Sequence, residues 1–493
     1  MRLEPDTAVR SGARTERYRY EELAAFLVEL VEGGTLRPGM RAPSIRRIAA
    51  QRGTSISTVL QAYRLLEDRG VLAARPKSGF YVAHGGTASL ATPSISNPPG
   101  KPTKVVVARG TLELLAYAAR PELVPLGCAI PSADLLAAGK LDRFMARAAR
   151  VKGTAYNIYT EPKGDRDLRN EICRRSLRFG QLLTPETVAI TCGCTEALSL
   201  ALRAVTRRGD TVAIESPTYF GLLQVLEALE LKALELPTDA NDGVDVEALE
   251  KVLKSKPVSA CLFSSSFNNP LGCSMTDARK RAVVELLRRH KVPLVEDDIY
   301  GDIYFGPERP KPFMALAPGA DILYCSSFSK TVAPGYRVGW IATTRHMQRV
   351  LEAKFAQTLC GPALPQAALA DFLSSGGYDS HLRRIRAVFA QNIDRMTRAI
   401  TRSFPASTRV SRPAGGFVLW VELPAGIDTR ALFEAAIERG ICFAPGDIFS
   451  ATRRHTSCIR LSCGHSWDER IEQSIETLGA MAADAVAAHP AHI

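Results

Sequence analysis

Hydrophobic positions near the start of the chain repeat with the spacing of an α-helix, and the pattern then changes to a short hairpin. Residues 20–31 place their apolar side chains on one helical face. Ser44 can cap a second, short helix that Gly53 breaks, and a third helix continues to Gly70. Two apolar segments within 71–82 follow, joined by a turn. Short helices around a glycine turn and then a hairpin predict a winged helix-turn-helix.

Most of the remaining chain alternates short apolar strands with helical segments. Segments that are apolar on both faces include 188–190, 211–214, 260–263, 293–295 and 322–325. Such segments, separated by helices, predict an α/β fold with a buried and mostly parallel sheet. After about residue 380 the pattern changes to a long helix and later strands, which predicts a smaller α+β domain.

A segment rich in Gly, Pro, Ser and Thr separates the two patterns. Residues 84–104 show no apolar periodicity, so they predict an interdomain linker that is partly flexible and partly extended by proline. The linker divides the chain into a head at 14–83 and a body at 105–485. A chain of 493 residues is also longer than one domain usually is.

Composition adds a charge preference and an expected location. The formal charge of +12 favours an anionic partner without identifying it. The 11 cysteines show no paired C-x-x-C spacing, so reduced thiols are expected. The first residues lack the apolar core of a signal peptide, and no apolar run approaches the length of a membrane span. The cytoplasm is therefore the expected location.

The head carries basic and hydroxyl side chains where a winged helix-turn-helix meets DNA. Its residues include 12 Lys or Arg against 7 Asp or Glu. The second helix can contact phosphates, and the start of the third helix, capped by Ser55 or Ser57, faces base edges. A small basic domain for protein contacts is the alternative. The candidate DNA contacts are Arg46, Arg47, Ser55, Ser57, Thr58 and Lys77.

A lysine between hydroxyl residues indicates the chemistry of the body. Lys330 comes shortly after a predicted buried strand, beside Ser327 and Ser329, and Arg337 follows. The lysine amine can condense with an aldehyde, while the hydroxyls and the arginine can hold a phosphate. This combination suits pyridoxal phosphate, although an ordinary surface lysine is the alternative.

Other segments supply the remaining groups that pyridoxal phosphate needs. Asp297 ends a strand and can pair with the protonated ring nitrogen. Asn269 and Tyr300 can bond the 3′-oxygen, although Asn269 can also be a simple turn residue. The backbone at 193–195 joins a strand to a helix and offers N–H groups to an anion. Tyr219 can stack on the ring, or be ordinary turn packing.

One arginine suits a substrate carboxylate. Arg460 lies on a predicted strand of the smaller domain without an acidic residue nearby in sequence. Its planar guanidinium can bind a carboxylate through two hydrogen bonds. A structural salt bridge is the alternative.

The head resembles the GntR-type winged helix over most of its length. The shared residues include Pro43-Ser44-Ile45-Arg46, Thr58-Val59, Ala62-Tyr63 and Ser78-Gly79. The resemblance implies binding to double-stranded operator DNA. Ile56 departs from it, because such heads often carry a basic residue at this position, and the operator sequence stays open.

The body resembles fold-type I pyridoxal-phosphate enzymes of the class I/II aminotransferase group over roughly 120–480. The resemblance implies a mostly parallel seven-stranded sheet with a small α+β domain. It also implies a catalytic set of Lys330, Asp297 and Tyr300. The roles implied by the matching motifs are cofactor binding by Lys330, Asp297, Tyr300, Asn269, Tyr219, Ser327 and Arg337, and substrate binding by Arg460.

The same resemblance also bears on four further positions. Cys194 and Thr195 replace the more usual Ala/Ser and Gln of the phosphate loop, where the backbone donors are kept. Tyr159 matches a tyrosine that reaches the phosphate of a partner subunit, which implies a homodimer. Some relatives carry an arginine two residues after the stacking tyrosine; Gly221 stands there, which leaves a single carboxylate anchor.

The whole chain resembles the MocR-type GntR regulators, a winged helix joined to an aminotransferase-like body. The resemblance favours a transcription regulator, with heads exchanged between subunits as one option. An amino acid or amine would then be sensed through an external aldimine that displaces Lys330. An active aminotransferase with an appended head is the alternative, since no residue needed for transamination is missing. A cofactor-free body kept for dimerisation is the third hypothesis.

Overall fold

The computed structural model describes residues 19–32, 35–37, 39–68, 71–75, 78–82, 90–107, 113–114, 116–117 and 120–488. It divides into two units, Met1–Ser89 and Leu90–Ile493. The predicted linker at 84–104 is divided by this boundary. Its residues 90–104 belong to the large unit, and 84–89 lie outside the described residues.

The small unit contains three helices and an antiparallel hairpin around a core that includes Leu27, Val59 and Leu66. Its elements are α1 (Arg19–Glu32), α2 (Ile45–Arg52), α3 (Ile56–Asp68), β1 (Leu72–Arg75) and β2 (Gly79–Val82). The Ser44 hydroxyl accepts from the first turn of α2, and Gly53 ends that helix with a φ of 59°, a conformation that favours glycine. The winged helix-turn-helix is confirmed.

The large unit consists of two sheets, one additional strand pair, and the helices that pack on them. Its helices are α4 (Ala138–Lys152), α5 (Arg166–Ser176), α6 (Cys194–Val205), α7 (Phe220–Ala228), α8 (Val246–Ser255), α9 (Asp277–His290), α10 (Phe313–Leu316), α11 (Met347–Gln357), α12 (Ala363–Ser374), α13 (Gly377–Ser403), α14 (Thr429–Glu438) and α15 (Glu469–Ala488). Its strands are β3 (Thr103–Lys104), β4 (Val124–Pro125), β5 (Val188–Thr191), β6 (Thr211–Ser216), β7 (Lys232–Asp239), β8 (Gly243–Val244), β9 (Ala260–Ser264), β10 (Leu294–Asp297), β11 (Ile322–Ser327), β12 (Gly339–Ala342), β13 (Arg409–Val410), β14 (Val418–Glu422), β15 (Ile441–Cys442), β16 (Ala444–Pro445) and β17 (Cys458–Ser462).

The central sheet has the strand order β3-β7-β6-β9-β10-β11-β12-β5, with β8 paired to β7. Strands β7, β6, β9, β10 and β11 are parallel, and β12 runs antiparallel to both of its neighbours. Since β3 and β8 are two residues long, the seven longer strands form the predicted, mostly parallel sheet. Hydrophobic clusters contact both of its faces, which explains why the strands are apolar throughout.

The second sheet is antiparallel and lies in the C-terminal part of the chain, as predicted. Its order is β13-β14-β17-β16, and α13 packs with α15 beside it. We call this part the small lobe, residues 377–488, and the part around the central sheet the large lobe. None of the described helices is long and apolar enough to cross a membrane.

Residues 90–104, which we call the strap, form hydrogen bonds with both lobes of the large unit. The backbone N–H and hydroxyl of Ser94 donate to the Glu422 carboxylate of β14 at 2.6 and 2.9 Å. The Ser96 hydroxyl donates to the carbonyl of Ser216 in β6 at 2.5 Å. Strand β3 then pairs with β7. These hydrogen bonds move the start of the body from the predicted residue 105 to residue 90.

Candidate functional site

A cavity of about 230 Å³ opens where the parallel strands of the central sheet end. Ten predicted residues line it, although they come from distant segments of the chain. They meet because β10 and β11 are neighbours in the sheet, and β17 of the small lobe contributes to the same wall. These residues are Cys194, Thr195, Tyr219, Asn269, Asp297, Tyr300, Ser329, Lys330, Arg337 and Arg460.

Lys330 presents its amine to the cavity. The side chain is half-buried, and its Nζ donates to the carbonyl oxygen of Ala129 at 2.6 Å. Burial, followed by the nearby charge of Arg460, lowers the pKa of Lys330 to about 8. A lower pKa increases the fraction of neutral amine, which is the nucleophilic form. The geometry therefore disfavours the alternative of an ordinary surface lysine.

Asp297 is a buried carboxylate at the end of β10. Its Oδ1 accepts from the backbone N–H of Ile299 at 3.2 Å and from the Cys194 thiol at 3.6 Å. Burial raises the pKa of Asp297 to about 6. A carboxylate in this setting is stabilised in its charged form by a cation on the cavity side. A protonated ring nitrogen is a group of that kind.

The raised pKa of Asp297 leads to a prediction: the stabilisation of the fold by the cofactor should depend on pH. Without the cofactor, the folded pKa of about 6 lies above the ordinary value of 3.8. The carboxyl therefore contributes stability below about pH 4 that is lost as the pH rises through 6, on the order of 3 kcal/mol. A paired cation offsets this loss, so we expect the rise in melting temperature on adding pyridoxal phosphate to grow between about pH 4 and 7.

The measurement compares melting temperatures of the wild type and Asp297→Asn, each with and without the cofactor, across this pH range. Glu215 and Glu296 also have raised pKa values, about 8 and about 7, because they are buried. Both proteins keep these two groups, so their own burial contributes to both, and the difference between the proteins reports Asp297 together with its smaller effect on Glu215. Equal pH dependence of the cofactor effect in the two proteins would contradict the prediction.

Buried polar atoms without a partner provide a test of whether the cofactor fits. Asn269 Oδ1 and the Tyr300 hydroxyl have no hydrogen-bond partner among the described residues. Burial raises the pKa of the Tyr300 phenol, and the nearby Asn269 side chain opposes part of that rise, but no well-aligned hydrogen bond joins the two side chains. Buried polar groups are normally paired. A hydroxyl substituent on a bound ring, such as the 3′-hydroxyl, can donate to Asn269 Oδ1 and accept from the Tyr300 O–H.

The N-terminus of α6 forms an anion site with Arg337. No side chain caps the first turn of α6, and Gly193 precedes it with a φ of 84°. A Cβ at Gly193 would lie 2.6 Å from an Arg337 nitrogen, so glycine is what allows the guanidinium to approach. Free N–H groups at the positive end of a helix, together with a guanidinium, suit a phosphate.

Of the two serines expected beside the phosphate, Ser329 lines the cavity and Ser327 does not. The Ser327 hydroxyl accepts from the backbone N–H of Ser329 at 3.3 Å, and the residue lies on the wall of a different cavity. Strand β11 ends at Ser327, and residues 328–330 form a bend and a turn. The alternation of side chains along a strand therefore does not extend to Ser329. Ser327 therefore supports the Ser329 backbone, and its contact with the phosphate stays a prediction.

Arg460 is fully buried, and part of its guanidinium is unpaired. Nη2 donates to the carbonyl of Gly127, whereas Nε and Nη1 have no partner among the described residues. The guanidinium carbon lies 5.5 Å from the centre of the Phe449 ring. Because no carboxylate of the described chain accepts from Nε or Nη1, the salt-bridge alternative is not supported. A buried cation in this state needs an anionic ligand.

Gly221 determines the position of the stacking candidate. Tyr219 precedes α7 and lines the cavity, and burial raises its pKa to about 12, which keeps the phenol neutral. A Cβ at Gly221 would overlap the Tyr219 ring. A second carboxylate-binding arginine therefore has no room at position 221 while the ring stays in place.

Tyr159 lies away from the cavity of its own chain. Its side chain is 83% exposed, just after a short 3-10 helix that spans Gly153–Asn157. Conversely, Cys128, Ala129 and Ile130 line the cavity although the sequence did not predict them. No motif marks them, because Ala129 acts through its backbone carbonyl.

The candidate DNA contacts lie on the surface of the small unit. Arg46 and Arg47 are exposed on α2. The Ser55 hydroxyl accepts from the backbone N–H of Thr58 at 3.1 Å, so Ser55 rather than Ser57 caps α3. Ser57 is exposed and Thr58 is half-buried. Lys77 lies outside the described residues.

Comparison with known proteins assigns both units. Residues 19–82 match the family of bacterial regulatory proteins, gntR family, and residues 132–478 match aminotransferase class I and II. The uncharacterized HTH-type transcriptional regulator YdcR of Escherichia coli (strain K12) is 38% identical over 94% of this chain and 98% of its own length. The 2-aminoadipate transaminase of Thermus thermophilus is 32% identical over 77% of this chain and 95% of its own.

A solved structure supports the same assignment. The multiple substrate aminotransferase from Thermococcus profundus superimposes with a TM-score of 0.73 and 25% identity, covering 78% of this chain and 96% of that one. Fold and cavity define the large unit as an aminotransferase domain of fold-type I, a class that depends on pyridoxal phosphate. The chain belongs to the GntR-type transcriptional regulators of the MocR type, in which such a domain follows a winged helix-turn-helix.

Proposed function

We propose that this protein regulates transcription by binding operator DNA through its heads and an α-amino acid, or a related amine, at the Lys330 cavity. The observation that carries the proposal is the set of unpaired, buried polar atoms around Lys330, joined in one chain to a DNA-binding head. A body kept merely for dimerisation has no use for the unpaired guanidinium of Arg460.

The residues of the cavity have complementary roles toward the cofactor. Bound pyridoxal phosphate supplies an aldehyde that reacts with amines and a ring that withdraws electrons. Asp297 holds a proton on the ring nitrogen, while Asn269 and Tyr300 hold the 3′-oxygen. Lys330 provides the amine, and Tyr219 covers one face of the ring. The phosphate is held by the first turn of α6 with Thr195, Ser329 and Arg337, and Cys194 also contacts Asp297.

The ligand is bound through one carboxylate. Arg460 keeps unpaired N–H donors on Nε and Nη1 of one guanidinium, and a carboxylate oxygen can accept from such donors. Once Arg337 holds the phosphate and Lys330 the aldehyde carbon, Arg460 is the remaining basic side chain among the described residues that line the cavity. The ligand therefore carries an amine and one carboxylate.

We also propose a homodimer in which Tyr159 reaches the phosphate site of the partner subunit. Its 83% exposed side chain is a large aromatic group that a single chain leaves in solvent. Mass measurement in solution checks the dimer, and a fall in cofactor affinity for Tyr159→Phe checks the contact. A monomeric protein that binds the cofactor fully would contradict both.

The experiment that tests the regulator measures binding of the full-length protein to DNA fragments from upstream of its own gene and neighbouring genes. Affinity is compared with and without pyridoxal phosphate and a panel of amino acids. We expect sequence-specific binding whose strength or footprint changes with one ligand class. Absence of sequence-specific binding under every condition would reject the regulator.

A working aminotransferase is the second candidate, because Lys330 has a pKa of about 8 and can accept and return a proton near neutral pH. Single-turnover absorbance with the same amino acids tests it. Conversion of the cofactor to its amine form, followed by recovery with a 2-oxo acid, supports catalysis. Ligand binding without this conversion would indicate that the protein senses the amino acid and does not catalyse transamination. The two activities do not exclude each other.

We expect the strap to transmit the effect of amino-acid binding in the cavity to DNA binding by the head. Glu422, which holds Ser94, lies on β14, and β14 pairs with β17 so that Trp420 is opposite Arg460. We expect Glu422→Gln to leave the affinity for the amino acid within about twofold. The effect of the amino acid on DNA affinity, on the order of tenfold for a typical coupling, should fall toward none.

Absorbance titration measures the first quantity and DNA binding the second. Ser255→Ala, an exposed serine of α8 outside the strap, is the matched control and should retain the coupling. An unchanged response of DNA binding in Glu422→Gln would show that the strap plays no part in coupling.

A further inference from the structure

An isoleucine is exposed at the start of α3, the third helix of the head. Ile56 is the first residue of α3, and 55% of its surface is exposed. The other face of α3 is buried through Val59, Ala62 and Leu66, so Ile56 is not needed to complete the core. Burial of this side chain against a partner would remove apolar surface from water, which is favourable.

The polar neighbours of Ile56 are engaged with one another. The Ser55 hydroxyl lies 2.7 Å from the Ser57 hydroxyl and 2.8 Å from the Thr58 hydroxyl, in addition to capping the helix. Further along α3, Gln61 is exposed on the solvent face, and the basic residue of this helix is Arg64. The N-terminal turn of α3 therefore carries no cation that could bind guanine, the usual partner of arginine in the major groove.

The exposed side chain of Ile56 is best suited to contact thymine, because of the groups that each base presents in the major groove. In the major groove, the C5-methyl group of thymine is the apolar group that a base presents, and glutamine is suited to adenine. The first residues of a recognition helix face base edges. We propose that Ile56 contacts a thymine methyl group, so that each operator half-site carries an A·T pair at this position. The inference goes beyond the proposed function and rests on the head binding DNA.

The first step of the test selects duplexes from a random library with the full-length protein and pyridoxal phosphate. We expect half-sites with thymine at one fixed position. Deoxyuridine, which lacks the methyl group, is then placed at this position of the selected operator. The dissociation constant should rise by about fourfold, the effect of exposing one methyl group.

The second step links this effect to Ile56. With Ile56→Ala, the operators that contain thymine and uracil should bind equally. Gln61→Ala, an exposed substitution on the same helix, should keep the difference. Because both side chains are exposed, the circular dichroism of both variants should match that of the wild type.

Three results would overturn the inference: half-sites without a fixed thymine, equal binding of the two operators by the wild type, or a difference that persists in Ile56→Ala. Selection of specific duplexes without a fixed thymine contradicts Ile56 readout and leaves the regulator intact. Enrichment of no duplex at all contradicts the regulator as well.

Discussion

Lys330→Ala is expected to remove the visible absorption of the bound cofactor, near 420 nm as a rough value for a protonated imine, and to abolish the response of DNA binding to amino acids. Among the described side chains that line the cavity, Lys330 is the one lysine. Its amine, with a pKa of about 8, reaches the cavity from the end of β11. Alanine leaves the phosphate and ring contacts in place but removes the covalent attachment.

Three measurements check this prediction: the absorption spectrum, retention of the cofactor after borohydride reduction and dialysis, and DNA binding with and without amino acids. Lys140→Ala is the matched control, since it removes an exposed lysine of α4. DNA binding without ligand should survive in both variants, because the head folds around its own core. A visible band that persists in Lys330→Ala would contradict the assignment of the lysine.

The second large effect is expected for Arg460→Met. Removing the carboxylate anchor should weaken the binding of α-amino acids by on the order of 100-fold, since one partner of a buried charge pair contributes several kcal/mol. An amine of similar size without a carboxylate should bind the variant and the wild type almost equally. Absorbance titration with such a pair of ligands measures both affinities.

Although Arg460→Met should weaken ligand binding, we expect it not to lower the stability of the protein without ligand. The buried guanidinium lacks partners for Nε and Nη1, and burial lowers its pKa, so it is retained at a cost in stability. Methionine of similar length removes that cost, and the free energy of unfolding should stay the same or increase. Arg430→Met is the control, because Arg430 is paired with Asp447 at 2.6 Å in the same lobe. A large loss of stability for Arg460→Met would assign this arginine a structural role.

Local sequence patterns were sufficient for the helices and hairpin of the small unit and for several central strands of the large unit. The cap at Ser44 and the glycine at 53 define α2 through contacts within four residues. Strands β9, β10 and β11 were predicted from segments that are apolar on both faces, since only a sheet covered on both sides buries them. Residues that end such strands, such as Asp297, must then meet at one edge of the sheet. The main members of the candidate site followed from this rule and from the family motifs.

Other features depend on contacts between distant segments, which no local pattern records. The strap was predicted as a linker, because its Pro- and Ser-rich composition carries no sign of the hydrogen bonds from Ser94 and Ser96 to β14 and β6. Ser327 matches a phosphate motif, yet it lines a different cavity from Ser329 and Lys330. Ala129 acts through a backbone carbonyl, a group that every residue carries.

The sequence established which chemical groups this protein has and in which elements they lie, because caps, apolar periodicity and strand ends are short-range properties of the chain. The folded chain established which of those groups lack a partner. Arg460 could have formed a salt bridge or awaited a ligand, and the choice depended on what β17 meets when the two lobes pack. Ile56 likewise could have completed the core of the head, and its 55% exposure shows that it does not. Unpaired and exposed groups arise from the packing of distant segments, and they are the groups on which the proposed functions of this protein rest.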